Sequence, residues 1–295
     1  MSDLFKLIAR GDLDALSAQL ERGADPNTVR GAESLLHRAA FCGDERAIRL
    51  LVSHGAVIDR SCDGVLPLHV ATMEAETDPK YATAIAALLE LGATVDATSD
   101  QGYTATFWAA GSGQLDVLEM LIRAGASVDV STPRGWTPLH EAADEDESER
   151  AVAVLLDHGA NPDARAESGA SPAHLAAAKS RARATMHLLE RMRQPTLVDH
   201  QGWGILHAAA QGGLADVVHW LLKRGADATL ATKTGRTPMH YAAMCFREVD
   251  NTAVIHALLA QGATLDALDV TGAGPRDVAY SAEAFDRAVK SAPRT

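Results

Sequence analysis

Aromatic residues and long apolar runs are both scarce in this chain of 295 residues. Phe, Trp and Tyr together make up 4% of it, so the few positions they occupy are informative. No apolar run approaches the roughly 18 residues that a membrane-spanning helix needs. The segment Met1–Phe5 has neither the basic start nor the long apolar stretch of a signal peptide. We therefore expect neither a membrane anchor nor a cleaved export signal.

Cysteine is also rare, with only Cys42, Cys62 and Cys245 in the chain. An odd, scattered set predicts no disulfide framework and favours a reducing compartment. We expect a cytoplasmic protein, and export by a route without a cleaved signal is the open alternative. The excess of arginine over lysine, 21 to 6, together with abundant alanine, favours a GC-rich, bacterial genome.

Positive charge is in deficit, with 27 Lys and Arg residues against 39 Asp and Glu residues and a net charge of −12. Nonspecific binding to nucleic acid or to anionic membranes requires a basic surface, so this balance argues against both. It is compatible with a protein partner that carries a basic segment.

One recurrent phrase organises the chain, and its fullest copy is Gly135-Trp136-Thr137-Pro138-Leu139-His140-Glu141-Ala142-Ala143. Gly135 permits a tight turn, the Thr137 hydroxyl can cap a helix, and Pro138 suits the first helical position. The histidine of the phrase recurs at His37, His69, His140, His174, His207 and His240. The last four copies lie 34, 33 and 33 residues apart, and a fixed period of this size is typical of a helical repeat array.

A second signal follows the copies: two leucines, Gly-Ala, then Asp or Asn, as in Leu155-Leu156-Asp157-His158-Gly159-Ala160-Asn161. With both signals the chain resembles the ankyrin-repeat family. The resemblance implies an all-α solenoid of paired antiparallel helices with short β-turn fingers, in about eight units including the caps. We predict a single array over residues 1–295, with an N-terminal cap at 3–27, seven repeats over 31–266 and a C-terminal cap at 272–290.

The resemblance also implies that the histidine of the phrase is structural and hydrogen-bonds across the joint between repeats. Consecutive copies are one repeat apart, which is too far for a shared ion with ligand bonds of about 2 Å. The sequence also shows no motif that pairs a nucleophile with a base. We therefore expect no metal, no cofactor and no catalytic site.

Several positions depart from the repeat pattern. Insertions at 74–80 and 246–251 lengthen the connection between the two helices of a repeat. Phe107 occupies the histidine position of its repeat. Met192 occupies the position where a glycine usually ends the second helix, so we expect either backbone strain there or a helix that continues towards Pro195.

The residue directly after the turn glycine is a candidate binding position. In the ankyrin family this position points outwards onto the concave face, and the scaffold does not dictate its identity. Here it carries residue types that dominate protein-binding hot spots, namely Tyr103, Trp136, Trp203 and Arg236. The alternative is that each ring packs on a neighbouring finger and stiffens the array.

The ends of the first helices form a second candidate surface facing the same groove. Its residues are Met73, Met244 and the acidic run Asp144, Glu145, Asp146 and Glu147. The acidic run could dock a basic segment of a partner, or it could be a solvated turn that favours the next helix N-terminus.

Together these positions predict a non-catalytic protein–protein interaction module that binds its partner through the concave groove as an inhibitor, immunity-type protein or adaptor. We expect a monomer that binds neither nucleic acid nor membrane. The alternative is a secreted effector or enzyme-associated protein with a site in the insertions.

Overall fold

The computed structural model describes residues 3–75, 78–145, 149–245 and 251–293. They form two compact units, Met1–Ala160 and Asn161–Thr295, called unit 1 and unit 2 below. Helices connected by short loops make up nearly all of the regular structure, as the sequence predicts. The single continuous array over residues 1–295 remains a prediction.

Unit 1 is built from pairs of short helices. Their bounds are α1 Leu4–Arg10, α2 Leu13–Glu21, α3 Leu35–Cys42, α4 Glu45–Ser53, α5 Pro67–Met73, α6 Pro79–Glu90, α7 Ala105–Gly111, α8 Leu115–Arg123, α9 Pro138–Asp144 and α10 Glu149–Asp157. The first helix of each pair packs against that of the next pair, in the order α1, α3, α5, α7 and α9. The second helices form another row, in the order α2, α4, α6, α8 and α10. The strands β1 Val29–Arg30 and β2 Glu33–Ser34 form an antiparallel hairpin with Val29 opposite Ser34.

Unit 2 repeats the same pattern. Its helices are α11 Pro172–Ala178, α12 Ala182–Arg191, α13 Ile205–Gln211, α14 Ala215–Lys223, α15 Pro238–Met244, α16 Thr252–Ala260 and α17 Ala282–Lys290. The first helices α11, α13 and α15 pack in one row, whereas α12, α14, α16 and α17 form the other. In the expected C-terminal cap, a turn in which Gly274 N–H donates to Asp277 Oδ2 at 2.9 Å precedes the single helix α17.

The start of α9 shows how the phrase produces a helix. Gly135 has φ +69°, which a residue with a Cβ rarely adopts, and Pro138 is the first residue of α9. Thr137 Oγ1 caps the helix by accepting from His140 N–H at 3.4 Å, and the Thr137 N–H donates to His140 Nδ1 at 3.2 Å. These features confirm the predicted turn, cap and first helical position.

Alanine allows the first helices to approach one another closely. Ala142 and Ala143 of α9 are buried with Leu139, and equivalent alanines recur in α7, α11, α13 and α15. The second helices contribute larger aliphatic residues such as Leu118 and Leu121 of α8, which are fully buried. Each such side chain contributes about 1.5–3 kcal/mol to folding.

The end of α12 corrects the expectation for Met192. Helix α12 ends at Arg191, and Met192 has φ −73° and ψ 142°, which is ordinary extended backbone. Both expected outcomes, strain at Met192 and a helix that continues towards Pro195, are therefore wrong. The segment after the helix is instead fixed by a residue 30 positions earlier in the chain, because the Asp163 carboxylate accepts the Arg193 N–H at 3.0 Å.

The insertions are described in part. Helix α6 begins at Pro79 and has 12 residues, so the end of the first insertion is helical, while residues 76 and 77 lie outside the described residues. Residues 246–250 of the second insertion also lie outside the described residues. Its last residue, Asn251, is fully buried and donates from Nδ2 to the Ala242 carbonyl at 2.9 Å. Every helix in the described ranges is too short or too polar to cross a bilayer.

Thr104 and Thr137 occupy the same position before α7 and α9 but should respond oppositely to valine. The buried Thr104 hydroxyl has no partner in the described structure, whereas Thr137 Oγ1 lies 2.8 Å from His140 Nδ1. We expect Thr104→Val to stabilise the protein by about 1 kcal/mol and Thr137→Val to destabilise it by about 1 kcal/mol. Urea denaturation followed by circular dichroism measures both changes in the free energy of unfolding. Equal effects of the same sign would contradict the conclusion that only the Thr137 hydroxyl is hydrogen-bonded.

Candidate partner-binding surfaces

The four predicted residues that directly follow a turn glycine, called the finger residues below, share one pattern of backbone hydrogen bonds. Each has its carbonyl accepting the N–H of the residue four positions earlier, at 2.8 or 2.9 Å, while its own N–H donates to the side chain of that residue at 2.8 to 3.3 Å. The pairs are Tyr103 with Ser99, Trp136 with Thr132, Trp203 with Asp199, and Arg236 with Thr232. This reciprocal pairing places each large side chain half-buried on a rigid turn. The sequence analysis did not identify these supporting polar residues, although each lies four positions before its finger residue and that spacing could have revealed them.

In unit 1, Tyr103 lies in an aromatic cluster. Its ring packs edge-on against Phe107 with centroids 5.2 Å apart and lies 5.9 Å from Trp108. Trp108 in turn lies 4.7 Å from the His69 ring. The Tyr103 ring therefore makes the intramolecular contacts that the packing alternative expects while remaining partly exposed.

Trp136 forms a hydrogen bond that the sequence analysis did not anticipate. Its Nε1–H donates to Glu141 Oε2 at 2.8 Å, and its ring lies 5.2 Å from that of His140. Burial raises the pKa of Glu141 above its usual value, the Trp136 hydrogen bond lowers it, and the nearby Glu145 and Asp144 raise it further. Glu141 is thus a half-buried acid beside the predicted anchor.

The acidic run begins at the end of α9. Asp144 is the last residue of the helix and is half-buried, and Glu145 follows in an extended, exposed conformation. Asp146 and Glu147 lie outside the described residues. The described part of the run continues the negative surface that starts at Glu141.

Apolar side chains are exposed where the first helices of unit 1 end. Met73 at the end of α5 is 43% exposed, and Phe41 near the end of the neighbouring α3 is 45% exposed. The Arg38 guanidinium lies 5.5 Å from the Phe41 ring centroid. Methionine and phenylalanine are common in protein interfaces, so this pair suits a partner-facing position.

In unit 2, Trp203 and Arg236 have different environments. The Trp203 ring lies 6.4 Å from both His174 and Tyr241. Arg236 Nε donates to Asp269 Oδ2 at 3.1 Å, and Nη1 lies 3.7 Å from Met244 Sδ, so the structure brings two predicted residues together.

The Asp269 carboxylate that pairs with Arg236 is 1% exposed and also accepts from Thr271 and from the Ala273 N–H. The Thr271 side-chain hydrogen bond is the main cause that holds the pKa of Asp269 far below its usual range, so it stays ionised. Arg236 is therefore ion-paired with an internal carboxylate that the sequence analysis did not identify.

The histidines of the phrase are structural, as the resemblance implies. Four Nε2 atoms lie 2.9 to 3.2 Å from a carbonyl of the following repeat, from His37 to Val65, His69 to Ala97, His207 to Leu230 and His240 to Ala273. The Nε2 atom of His174 is buried and has no hydrogen-bond partner within the described residues. Burial lowers the pKa of His174 and of His207 to about 4, so both are neutral at pH 7. No group of three potential ligands among the described residues could hold a metal ion.

Comparison with known proteins establishes the family. The family model for ankyrin repeats in three copies matches residues 4–99, 75–166, 150–232 and 173–269, which together cover most of the chain. The chain belongs to the ankyrin-repeat family, and its helical repeat fold is that of the family.

Three individual proteins illustrate what the chain is similar to. The crystal structure of the human ASB11 ankyrin repeat domain is 25% identical, with a TM-score of 0.63, and the match covers 78% of this chain and 100% of that one. A zebrafish neurogenic locus notch homolog protein 1 is 30% identical over 61% of this chain, and mouse NF-kappa-B inhibitor delta is 33% identical over 32%. The chain spans only 8% and 29% of the lengths of these last two relatives. All three are animal proteins, so a bacterial source remains a prediction.

Proposed function

We propose that this chain is a non-catalytic interaction module that binds a partner protein through its finger residues and the ends of its first helices. Ankyrin repeats in general serve as protein–protein interaction modules. An inhibitor, an immunity-type protein or an adaptor fits a chain whose matched length is occupied by repeats. We propose further that it acts as a cytoplasmic monomer, in keeping with its three free cysteines.

The reciprocal hydrogen bonding of the finger residues is the observation that carries this proposal. Tyr103, Trp136 and Trp203 present large rings on turns whose backbone is already fixed. A preorganised surface loses less conformational freedom when a partner binds, which favours affinity. The internal ring contacts support this role, since they hold the exposed part of each ring in place.

The partner surface is expected to be basic where it meets unit 1. Glu141 accepts the Trp136 Nε1–H, Asp144 and Glu145 lie close enough to Glu141 to raise its pKa, and the chain carries a net charge of −12. Complementary charge mainly accelerates association and selects between partners. A lysine- or arginine-containing segment would place its charges on these carboxylates while its aliphatic part contacts the Trp136 ring.

Replacing the two anchor tryptophans tests the proposal. Once affinity capture has identified the partner, the Trp136→Ala, Trp203→Ala double variant should weaken binding by at least about 2 kcal/mol, or roughly 30-fold. Titration calorimetry measures the dissociation constant. The two single variants separate the contributions of unit 1 and unit 2.

Trp220→Ala is the matched control, because Trp220 lies on the second helix α14 and stacks on Arg224 at 3.6 Å. It should leave the affinity unchanged. If the double variant binds as tightly as the wild type while its thermal unfolding stays cooperative, the finger residues do not form the binding surface.

A further inference from the structure

Four side chains from two neighbouring repeats of unit 1 come together, and they are called the aromatic–acid site below. They are Tyr103 and Trp108 of one repeat, and Trp136 and Glu141 of the next. The Trp108 ring lies 5.9 Å from that of Tyr103, and Glu141 Oε2 accepts the Trp136 Nε1–H at 2.8 Å. Trp108 and Glu141 are each the fourth residue of their helix, and these helices, α7 and α9, pack side by side. The sequence analysis identified the two finger residues but neither of the two helix residues.

Gly111, at the end of α7, makes room for the Glu141 side chain. A Cβ on Gly111 would lie only 2.8 Å from Glu141 Cγ, so the glutamate occupies the space that a side chain at this position would take. Gly111 and Trp108 are three residues apart on α7 and therefore lie on one face of the helix. The missing side chain thus places the carboxylate over the face of α7 that carries Trp108.

Glu141 is a half-buried carboxylate that pairs with no basic side chain within the described structure. The neutral indole of Trp136 supplies its hydrogen bond there. Arg38, the fourth residue of α3, is by contrast paired with Glu33 at 2.6 Å. A charge that is withdrawn from water costs free energy unless an opposite charge or hydrogen bonds compensate it. Glu141 therefore favours a cation supplied by another molecule.

The rings of the aromatic–acid site are also open to a cation. All three are half-buried, so part of each ring remains exposed. In unit 2 the Arg224 guanidinium covers the Trp220 ring at 3.6 Å from its centroid. Within the described ranges, no lysine or arginine lies over any of the three rings of the site. A cation over an aromatic face is attracted by the ring, and more strongly where water is partly excluded.

The charge of unit 1 favours a basic occupant. Unit 1 holds 26 of the 39 acidic residues of the chain but only 12 of its 27 basic residues. Asp144 and Glu145 lie close enough to Glu141 to raise its pKa, so the surroundings of the site are negative as well. Such a surface attracts a positively charged segment and repels an acidic one.

We propose that the aromatic–acid site binds one arginine side chain of the partner protein. Its guanidinium pairs with Glu141 and lies over the Trp108 ring, while its aliphatic stem contacts Trp136. A guanidinium is planar and more weakly hydrated than the lysine ammonium, which suits stacking at a half-buried site. Glu141 and Trp108 are then specificity-determining residues of the binding surface. The inference rests on the proposed function, since a partner protein supplies the arginine.

Short blocked peptides test the site without the partner. The probe is Ac-Gly-Arg-Gly-NH₂, and its citrulline counterpart has the same shape without the charge. The chain has four tryptophans, so its indole N–H resonances are few and can be followed by NMR in the full chain. The arginine peptide should shift the resonances of Trp108 and Trp136 and leave that of Trp220, which Arg224 already covers.

The arginine peptide should bind at least about five-fold more tightly than the citrulline peptide, because the citrulline loses both the ion pair and the cation over the ring. Equal binding of the two peptides, or no binding, overturns the proposal. Equal binding of the corresponding lysine peptide overturns the assignment to a guanidinium.

Matched variants locate the binding. Glu141→Gln keeps an oxygen that can accept the Trp136 N–H but removes the charge, and it should weaken the arginine peptide at least about five-fold. Glu119→Gln removes the same charge from α8, where Glu119 pairs with Arg123 at 3.1 Å, and should change nothing. Trp108→Leu should weaken the peptide about three-fold through loss of the ring. Undiminished binding by Glu141→Gln would overturn the proposal, and cooperative thermal unfolding shows that each variant is folded.

Gly111→Ala tests the position of the carboxylate without changing any charge. The added Cβ should displace Glu141 and weaken the arginine peptide about three-fold, and unchanged binding would show that Glu141 does not act from its place against α7.

Trp203→Ala, in unit 2, separates this inference from the proposed function. It should leave peptide binding intact while it weakens the partner. A chain that binds the partner through both tryptophans but ignores the arginine peptide lacks the arginine site alone. A chain that binds the peptide while its partner is indifferent to both tryptophans contradicts the proposed function instead.

Discussion

Lowering the pH from 7 to 5 is expected to destabilise unit 2 by roughly 4 kcal/mol through His174 and His207, each contributing about 2 kcal/mol. Burial lowers the pKa of each imidazole to about 4 in the folded protein, against 6.5 for an ordinary histidine. Between these two values the unfolded chain binds more protons than the folded one. The stabilisation is therefore complete above about pH 6.5 and is lost progressively as the pH falls towards 4.

Urea denaturation at pH 7, 6 and 5 measures this loss. With Trp108 and Trp136 replaced by phenylalanine, fluorescence reports on Trp203 and Trp220 of unit 2. The His174→Gln, His207→Gln variant should be less stable at pH 7 but should lose much less stability on acidification. The pKa of Asp227 is lowered, chiefly by the Thr229 hydrogen bond, so its contribution is lost only below about pH 4 and does not interfere.

An unfolding midpoint that does not move between pH 7 and pH 5 would show that the two imidazoles protonate within the folded state. The same direction is expected in unit 1, because burial also lowers the pKa of His37 and His69. Glu141 acts in the opposite direction, since its raised pKa gives stability that is present at low pH and lost as the pH rises through the folded value.

Phe107→Ala should cost about 3–5 kcal/mol, because it leaves a cavity where a large ring was fully packed. Phe107 is 1% exposed and packs against Tyr103 at 5.2 Å. In this repeat the ring takes the place of the histidine, and burial of the ring replaces the hydrogen bond to the following repeat. Urea denaturation followed by circular dichroism measures the loss.

Phe41→Ala is the matched control, since that ring is 45% exposed and its loss should cost only about 1–2 kcal/mol. The two variants remove the same atoms, so the difference between them reports burial alone. Similar costs for both would mean that the position of Phe107 in the core of α7 is not what stabilises the repeat.

The sequence pattern predicts most of the fold because each turn, cap and helix start depends on residues that are close together in the chain. Thr137, Pro138 and His140 form the cap and the helix start among themselves, so their sequence suffices. The repeat period then places the histidines, and their bonds to the following repeat need only that neighbouring helices pack, as alanine permits. Family, helix pairing and the structural role of the histidines could therefore be predicted.

The candidate surface could be predicted only as a set of positions. That Trp136 donates to Glu141 depends on the rotamers of two side chains on one turn, which spacing alone does not determine. That Arg236 is paired depends on Asp269, 33 residues away and nearly fully buried. Such contacts decide how exposed a side chain is and whether its charge is already paired, so residue type alone could not predict either.

The amino-acid pattern by itself determined where the helices begin and which residues face each core, because turns, caps and apolar periodicity act over four residues or fewer. The 33- to 34-residue period of the phrase determined the family. Tertiary structure alone decided the backbone direction at Met192 after α12 and which finger residues have internal partners, such as Glu141 for Trp136 and Asp269 for Arg236. Those outcomes depend on atoms brought together from distant parts of the chain, whose positions exist only after the helices have packed.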